Sequence, residues 1–162
     1  TNAAIYIGGQ YFTTKNENIV VKNNEIDGHY MGVYVIHGNN VMVENNRIEN
    51  TTHNAIAIQC DSSTPNTYFT GKILIKNNYI NNCKGDSGTG ERAIRFNTPD
   101  NAEIIVESNT FVNCTDGGSL LKTQKAASDS SYVFTNNTYN GSKLTDANGT
   151  ITTTSQWEYF AE

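Results

Sequence analysis

Apolar and polar positions repeat along this chain in a fixed pattern. Five segments align without gaps: NIVVKNNEI (18–26), NVMVENNRI (40–48), KILIKNNYI (72–80), EIIVESNTF (103–111) and SYVFTNNTY (131–139). Each runs through three apolar or aromatic residues and one polar residue, meets an Asn pair or its variant Ser108-Asn109, and then offers one more apolar or aromatic residue. Alternation with period two is the signature of a strand with one buried face. The second Asn falls at Asn24, Asn46, Asn78, Asn109 and Asn137, so the spacings are 22, 32, 31 and 28 residues. A period near 22 with longer excursions predicts one structural coil per repeat, the excess leaving as loops.

A second series interleaves with the first: AIYI (4–7), GVYV (32–35), AIAI (55–58), AIRF (93–96) and SLLK (119–122). Each coil therefore reads as a strand, a turn, a second strand, the Asn-Asn corner and a brief third strand. No stretch is long enough for a crossover helix between parallel strands, which argues against an α/β fold. The Leu-x-x-Leu-x-Leu frame of leucine-rich repeats is absent.

Alternation assigns the faces. The predicted inward columns are Ile19, Val41, Ile73, Ile104 and Tyr132, then Val21, Val43, Ile75, Val106 and Phe134, and beyond the corner Ile26, Ile48, Ile80, Phe111 and Tyr139. The first Asn of each pair is expected to point inward and bond to neighbouring coils. The second is expected to take the left-handed conformation, which Asn tolerates better than most residues. The outward column Lys22, Glu44, Lys76, Glu107 alternates in sign, a device that favours correct register by roughly 0.2–1 kcal/mol per pair. Beside it, Val20, Met42, Leu74, Ile105 and Val133 form an outward apolar column that calls for cover. Loop 61–71 or a further domain is the favoured cover, other subunits the alternative, as in trimeric phage tail-spike proteins.

This pattern resembles the parallel β-helix repeat of the pectate-lyase-like superfamily over residues 4–139. The fold expected is all-β: a right-handed parallel β-helix of about five to six coils with Asn-ladder corners, spanning 1–144, and a C-terminal capping segment at 145–162. The closing TITTTSQWEYFAE (150–162) is similar to the exit segment of some bacterial secreted β-helix proteins. Ser155 is expected to cap a helical turn that lays Trp157 and Phe160 over the last coil. At the other end TNAAIYI (1–7) parallels the middle of a later coil, THNAIAI (52–58), so the helix is expected to continue N-terminally into further coils or a domain.

Composition narrows the partners. The net charge of −5 and the pI near 5.1 disfavour nucleic acid, which needs a basic face. No apolar run is long enough to span a membrane as a helix. The 24 Asn suit many short turns, and low charge with abundant Asn, Thr, Ser and Tyr suits a secreted or cell-surface bacterial protein. Cys60, Cys83 and Cys114 are too few for a disulfide scaffold. Cys83 and Cys114 occupy equivalent places in adjacent coils and read as stacked buried thiols, a disulfide being the alternative. His29, His37 and His53 share no metal-ligand spacing, so no zinc site is expected.

The resemblance implies polysaccharide bound along the first strand and its flanking loops. Carbohydrate-binding candidates there are Tyr6, Tyr34, Gln59, Arg95 and Asn97, in a face also containing Ala57 and Leu121, with Thr123 beside them. Tyr rings stack on sugar faces and Arg clamps a uronate carboxylate. Loops 61–71 and 81–92 flank the same face and supply weak catalytic candidates. Asp61 with Glu91 is a carboxylate pair for hydrolysis, whereas Arg92 or Arg95 would neutralise a uronate in β-elimination. The Asn-Thr-Asp, Asp-Asp and Gly-His-Gly series of polygalacturonases is absent, as are the clustered acidic calcium ligands of pectate lyases. No cofactor is identified, and nothing in the ligand pattern supports calcium. The reading is a polysaccharide-interacting part of a carbohydrate-active enzyme, a lyase, hydrolase or epimerase on acidic or plant-type glycans. The alternatives are a non-catalytic carbohydrate-binding or adhesion module, and a structural segment of a surface fibre or tail spike.

Overall fold

A computed structural model describes residues 2–8, 16–59, 71–83, 85, 93–97, 102–114, 120–123, 132–140 and 157–159. The first coil holds β1 (Ala3–Ile7), β2 (Asn16–Lys22) and β3 (Glu25–Asp27), and the second β4 (Met31–Ile36), β5 (Gly38–Glu44) and β6 (Arg47–Glu49). The third holds β7 (Ile56–Gln59), β8 (Gly71–Lys76) and β9 (Tyr79–Asn81), and the fourth β10 (Ile94–Asn97), β11 (Ala102–Glu107) and β12 (Thr110–Val112). The fifth holds β13 (Leu121–Thr123), β14 (Tyr132–Thr135) and β15 (Thr138–Asn140), and β16 (Trp157–Tyr159) follows.

Strands of equal rank stack in parallel register into three sheets. The first is β1-β4-β7-β10-β13-β16, the second runs from β2 to β14, and the third from β3 to β15. Among the described residues there is no helix. The expected all-β coil is therefore present. At the C-terminal end one expectation fails: Trp157 begins a strand, paired with Leu121, instead of packing as part of a helical turn. Alternating Trp-Glu-Tyr suits an added strand, whose backbone satisfies the open edge of β13 directly. Ser155 and Phe160 lie outside the described residues.

The core is the inside of the coil. Val41, Val43, Ile48, Ile73, Ile75, Ile80, Ile104, Val106 and Phe111 are all essentially inaccessible, each lying directly above its counterpart in the next coil. Ile19, Val21, Ile26, Phe134 and Tyr139, at the ends of these columns, are buried to a slightly lesser degree. On the outer side Lys76 pairs with Glu44 at 3.2 Å, as the alternating signs of their column require, and outside that column Lys72 pairs with Glu103 at 3.6 Å.

The corner between the second and third sheets always has two residues, and here the expected roles are reversed. Asn23, Asn45, Asn77, Ser108 and Asn136, the first of each pair, are the left-handed ones, with φ between 54° and 58°. The second residues, Asn46, Asn78, Asn109 and Asn137, are buried and form the ladder. A left-handed residue turns the chain so that the next side chain points along the stack from inside. Its amide then meets every demand at once. Asn78 Oδ1 accepts from the backbone and side chain of Asn46, while Asn78 Nδ2 donates to Val43 O and Asn109 Oδ1.

The corner between the third and first sheets follows the same design. Asn50, Asn82 and Asn113 are left-handed, with φ between 51° and 56°, and each precedes a buried small polar residue: Thr51, Cys83 and Cys114. Other links vary greatly in length. Between the first and second sheets the connection is a single residue, His37, in the second coil, whereas in the third it is the whole segment 60–70. Gly32 shows how tightly the coils meet: a Cβ there would lie 2.5 Å from Ala55 O and 2.7 Å from Ile48 Cγ2.

Candidate functional site

The outer face of the first sheet carries most of the candidates. Tyr6, Tyr34, Ala57 and Arg95 hold equivalent positions on β1, β4, β7 and β10. Tyr6 is exposed, and its ring leans on that of Tyr34, with centroids 5.5 Å apart and planes tilted by 49°. Gly8 leaves room for this ring, since a Cβ there would lie 3.2 Å from the Tyr6 hydroxyl. Tyr34 and Ala57 are buried despite facing outward, and Arg95 is partly exposed. Gln59 pairs with Ile36 on one side and Asn97 on the other, and is also partly exposed. Tyr6 and Arg95 thus bracket the covered stretch occupied by Tyr34 and Ala57.

The column continues differently from the sequence expectation. Ile94 pairs with Leu121, so Lys122 holds the position next to Arg95, and Glu158 of β16 the position after that. Leu121 is buried inside the coil, and Thr123 aligns with Phe96 instead of Asn97. The run Leu120-Leu121 carries no alternation, which is why the pattern slips by one residue there. A basic residue type directly beside Arg95 is the feature sequence reading missed. Its signal was the polar Lys122-Thr123 after two leucines. Asp61, Glu91 and Arg92 lie outside the described residues.

Three other groups of chemical interest lie outside this column. His53, in the turn before β7, is buried, with Nδ1 2.8 Å from Asn54 Oδ1 and its ring 4.6 Å from that of exposed Tyr30. His37 is a buried left-handed corner. Cys83 and Cys114 are both buried free thiols, as expected for stacked corner residues. Cys114 Sγ donates to Ile80 O and Val112 O, each at 3.2 Å. Burial pushes the Cys114 thiol up to about 12, and raises that of Cys83 as well. Such thiols are poor nucleophiles and belong to the scaffold.

Among the described residues no three His, Cys, Asp or Glu side chains converge as a metal site, and no helix is long and apolar enough to cross a membrane. The sequence model of the family described as "Right handed beta helix region" matches residues 3–156. Neither the curated proteins nor the solved structures contain a match to the chain.

Proposed function

Because the chain belongs to the right-handed β-helix family, we propose that it binds an extended acidic polysaccharide along the outer face of the first sheet, outside the cell. The observation that carries this reading is the alignment of exposed Tyr6 with Arg95, and of Arg95 with Lys122, on successive coils. A glycan running along the stack meets an aromatic surface at one end and paired basic residue types further on. Aromatic rings bind sugar faces, and a guanidinium holds a carboxylate with two parallel hydrogen bonds. Gln59 supplies an amide beside this track for hydroxyl groups.

In this reading the protein is the polysaccharide-binding part of a carbohydrate-active enzyme. Titrating the full chain with a soluble polyuronate and with an uncharged glucan tests the binding. The expected result is preference for the polyuronate, with affinity reduced about tenfold by Tyr6→Ala or Arg95→Gln, the loss of one good contact. Absence of binding to either glycan, or variants that both bind as tightly as the unaltered chain, overturns the reading. Release of an ultraviolet-absorbing unsaturated uronate would assign a lyase, new reducing ends without that absorbance a hydrolase. Binding without turnover would assign a non-catalytic module.

A further inference from the structure

The outer face of the second sheet has a property unrelated to the glycan track. Val20, Met42, Leu74, Ile105 and Val133 stack in register across β2, β5, β8, β11 and β14. Val20 is 50% and Val133 39% exposed. A shallow groove of about 310 Å³ runs over Val20, Met42 and Leu74, edged by Asn18, Asn40 and Lys72. One flank of the stripe is the column Lys22, Glu44, Lys76, Glu107. The other presents Asn40, Lys72 and Glu103, with Lys72 N–H donating to Asn40 Oδ1.

We propose that a second copy of this chain covers this face, with its coils in reversed order, about a two-fold axis parallel to the strands and centred between β5 and β8. The charges select this arrangement. Lys22 then meets Glu107 of the partner subunit, and Glu44 meets the partner subunit's Lys76. Val20 lies over the partner's Ile105, and Met42 over the partner's Leu74. On the other flank neutral Asn18 and Asn40 meet charged residues. Other symmetric packings fail on the same columns. A two-fold axis along the stack sets Lys76 against Lys72 and Glu107 against Glu103. An axis centred on β8 sets Lys76 against its own copy and Glu44 against Glu107. Centring between β8 and β11 pairs only Lys76 with Glu107 and leaves Val20, the most exposed residue of the stripe, uncovered in place of Val133.

The strands of the two copies run in the same direction, within the aligned class of sheet packing. The four strands that overlap, β2 to β11, span about 19 Å along the stack, a face smaller than the roughly 800 Å² per partner of a standard interface. The dimer is therefore weak and concentration-dependent, dissociating on the order of 10–100 µM.

Sedimentation of the full chain over a range of concentrations tests this. The expected result is a reversible dimer, loosened by Lys22→Glu and by Glu107→Lys about tenfold each, and restored to within about threefold of the original by the double exchange. Circular dichroism checks that the variants fold. Raising salt to about 0.5 M should weaken the unaltered dimer, which needs no variant. A monomer at every concentration, a higher oligomer, or a dimer indifferent to Lys22→Glu and to salt overturns the proposal. Indifference to Lys22→Glu alone would move the axis to between β8 and β11 and so overturn the β5–β8 arrangement.

Discussion

Asn46 and Asn78 are joined twice across a coil boundary: the backbone N–H and the side-chain Nδ2 of Asn46 both donate to Asn78 Oδ1, at 2.9 and 3.0 Å. The same double donation links Asn78 to Asn109 and Asn109 to Asn137. No solvent reaches these groups, so each amide is irreplaceable where it stands.

Replacing Asn78 by Ala should therefore cost about 3 kcal/mol in urea-induced unfolding, since it strands Asn46 N–H and Val43 O and leaves Asn109 Oδ1 with only the backbone N–H of residue 78. Asn24, the outermost described member, turns its Nδ2 to Lys22 O and is only partly buried. Asn24→Ala should cost about 1 kcal/mol. Equal losses at the two positions would contradict a ladder whose strength comes from burial.

Ser108 is the odd member of the left-handed column, at φ 56°. Asn and Gly adopt that conformation at lower cost, so Ser108→Asn or Ser108→Gly should stabilise by about 0.5–1 kcal/mol. Asn77→Val, which forces a β-branched residue to φ 54°, should destabilise by about 1–2 kcal/mol. Midpoints of chemical unfolding at constant slope would measure both.

Gly32→Ala meets the Ala55 carbonyl and the Ile48 methyl at distances no real Cβ tolerates. Ala55 belongs to the next coil and Ile48 to the opposite wall of the same coil, and both are fully buried with little room to retreat. The variant should lose about 2–3 kcal/mol by overpacking, visible as a lower Tm.

Cys83 and Cys114 should resist alkylation at pH 8 in the folded protein and react fully in urea, read peptide by peptide in a mass spectrum. Their linkage to stability has a definite sign. The folded Cys114 thiol loses its proton only near pH 12, against an ordinary value of 9.0. Between those values the unfolded chain releases a proton that the folded one keeps, so stability is full below pH 9 and falls as pH rises toward 12. Cys114→Ser should flatten that decline. An unchanged alkaline profile in this variant would show that another group controls it.

The coils were legible because a strand with one buried face must alternate, and because five repeats let single errors average out. Which Asn of each pair points inward was misread, although the answer was written at one repeat. Ser108 can take a left-handed turn but has no amide to bridge two coils, so the position it occupies cannot be the ladder. At the third-to-first corner the stacked thiols Cys83 and Cys114 were legible, but the left-handed turns at Asn50, Asn82 and Asn113 were not, because the inward residues after them change chemistry from Thr51 to the two cysteines. The slip at Leu121 arose where two leucines, both buried, erased the alternation. On the first-sheet face, exposure was beyond reach of the pattern. Tyr6 and Tyr34 hold the same column, yet only Tyr6 is open to solvent.

The parallel pairing of all three sheets has a mechanical consequence. Every interstrand hydrogen bond, and every Asn-to-Asn bond of the ladder, points along the stacking axis. A pull along that axis loads the coil boundaries in series, so the rod yields at its weakest joint. The β10–β13 joint, paired over three positions, is shorter than the β2–β5 joint, paired over six. Pulling two ends of one coil sideways instead loads many bonds at once in shear. The molecule is thus a zipper in one direction and a cable in the other.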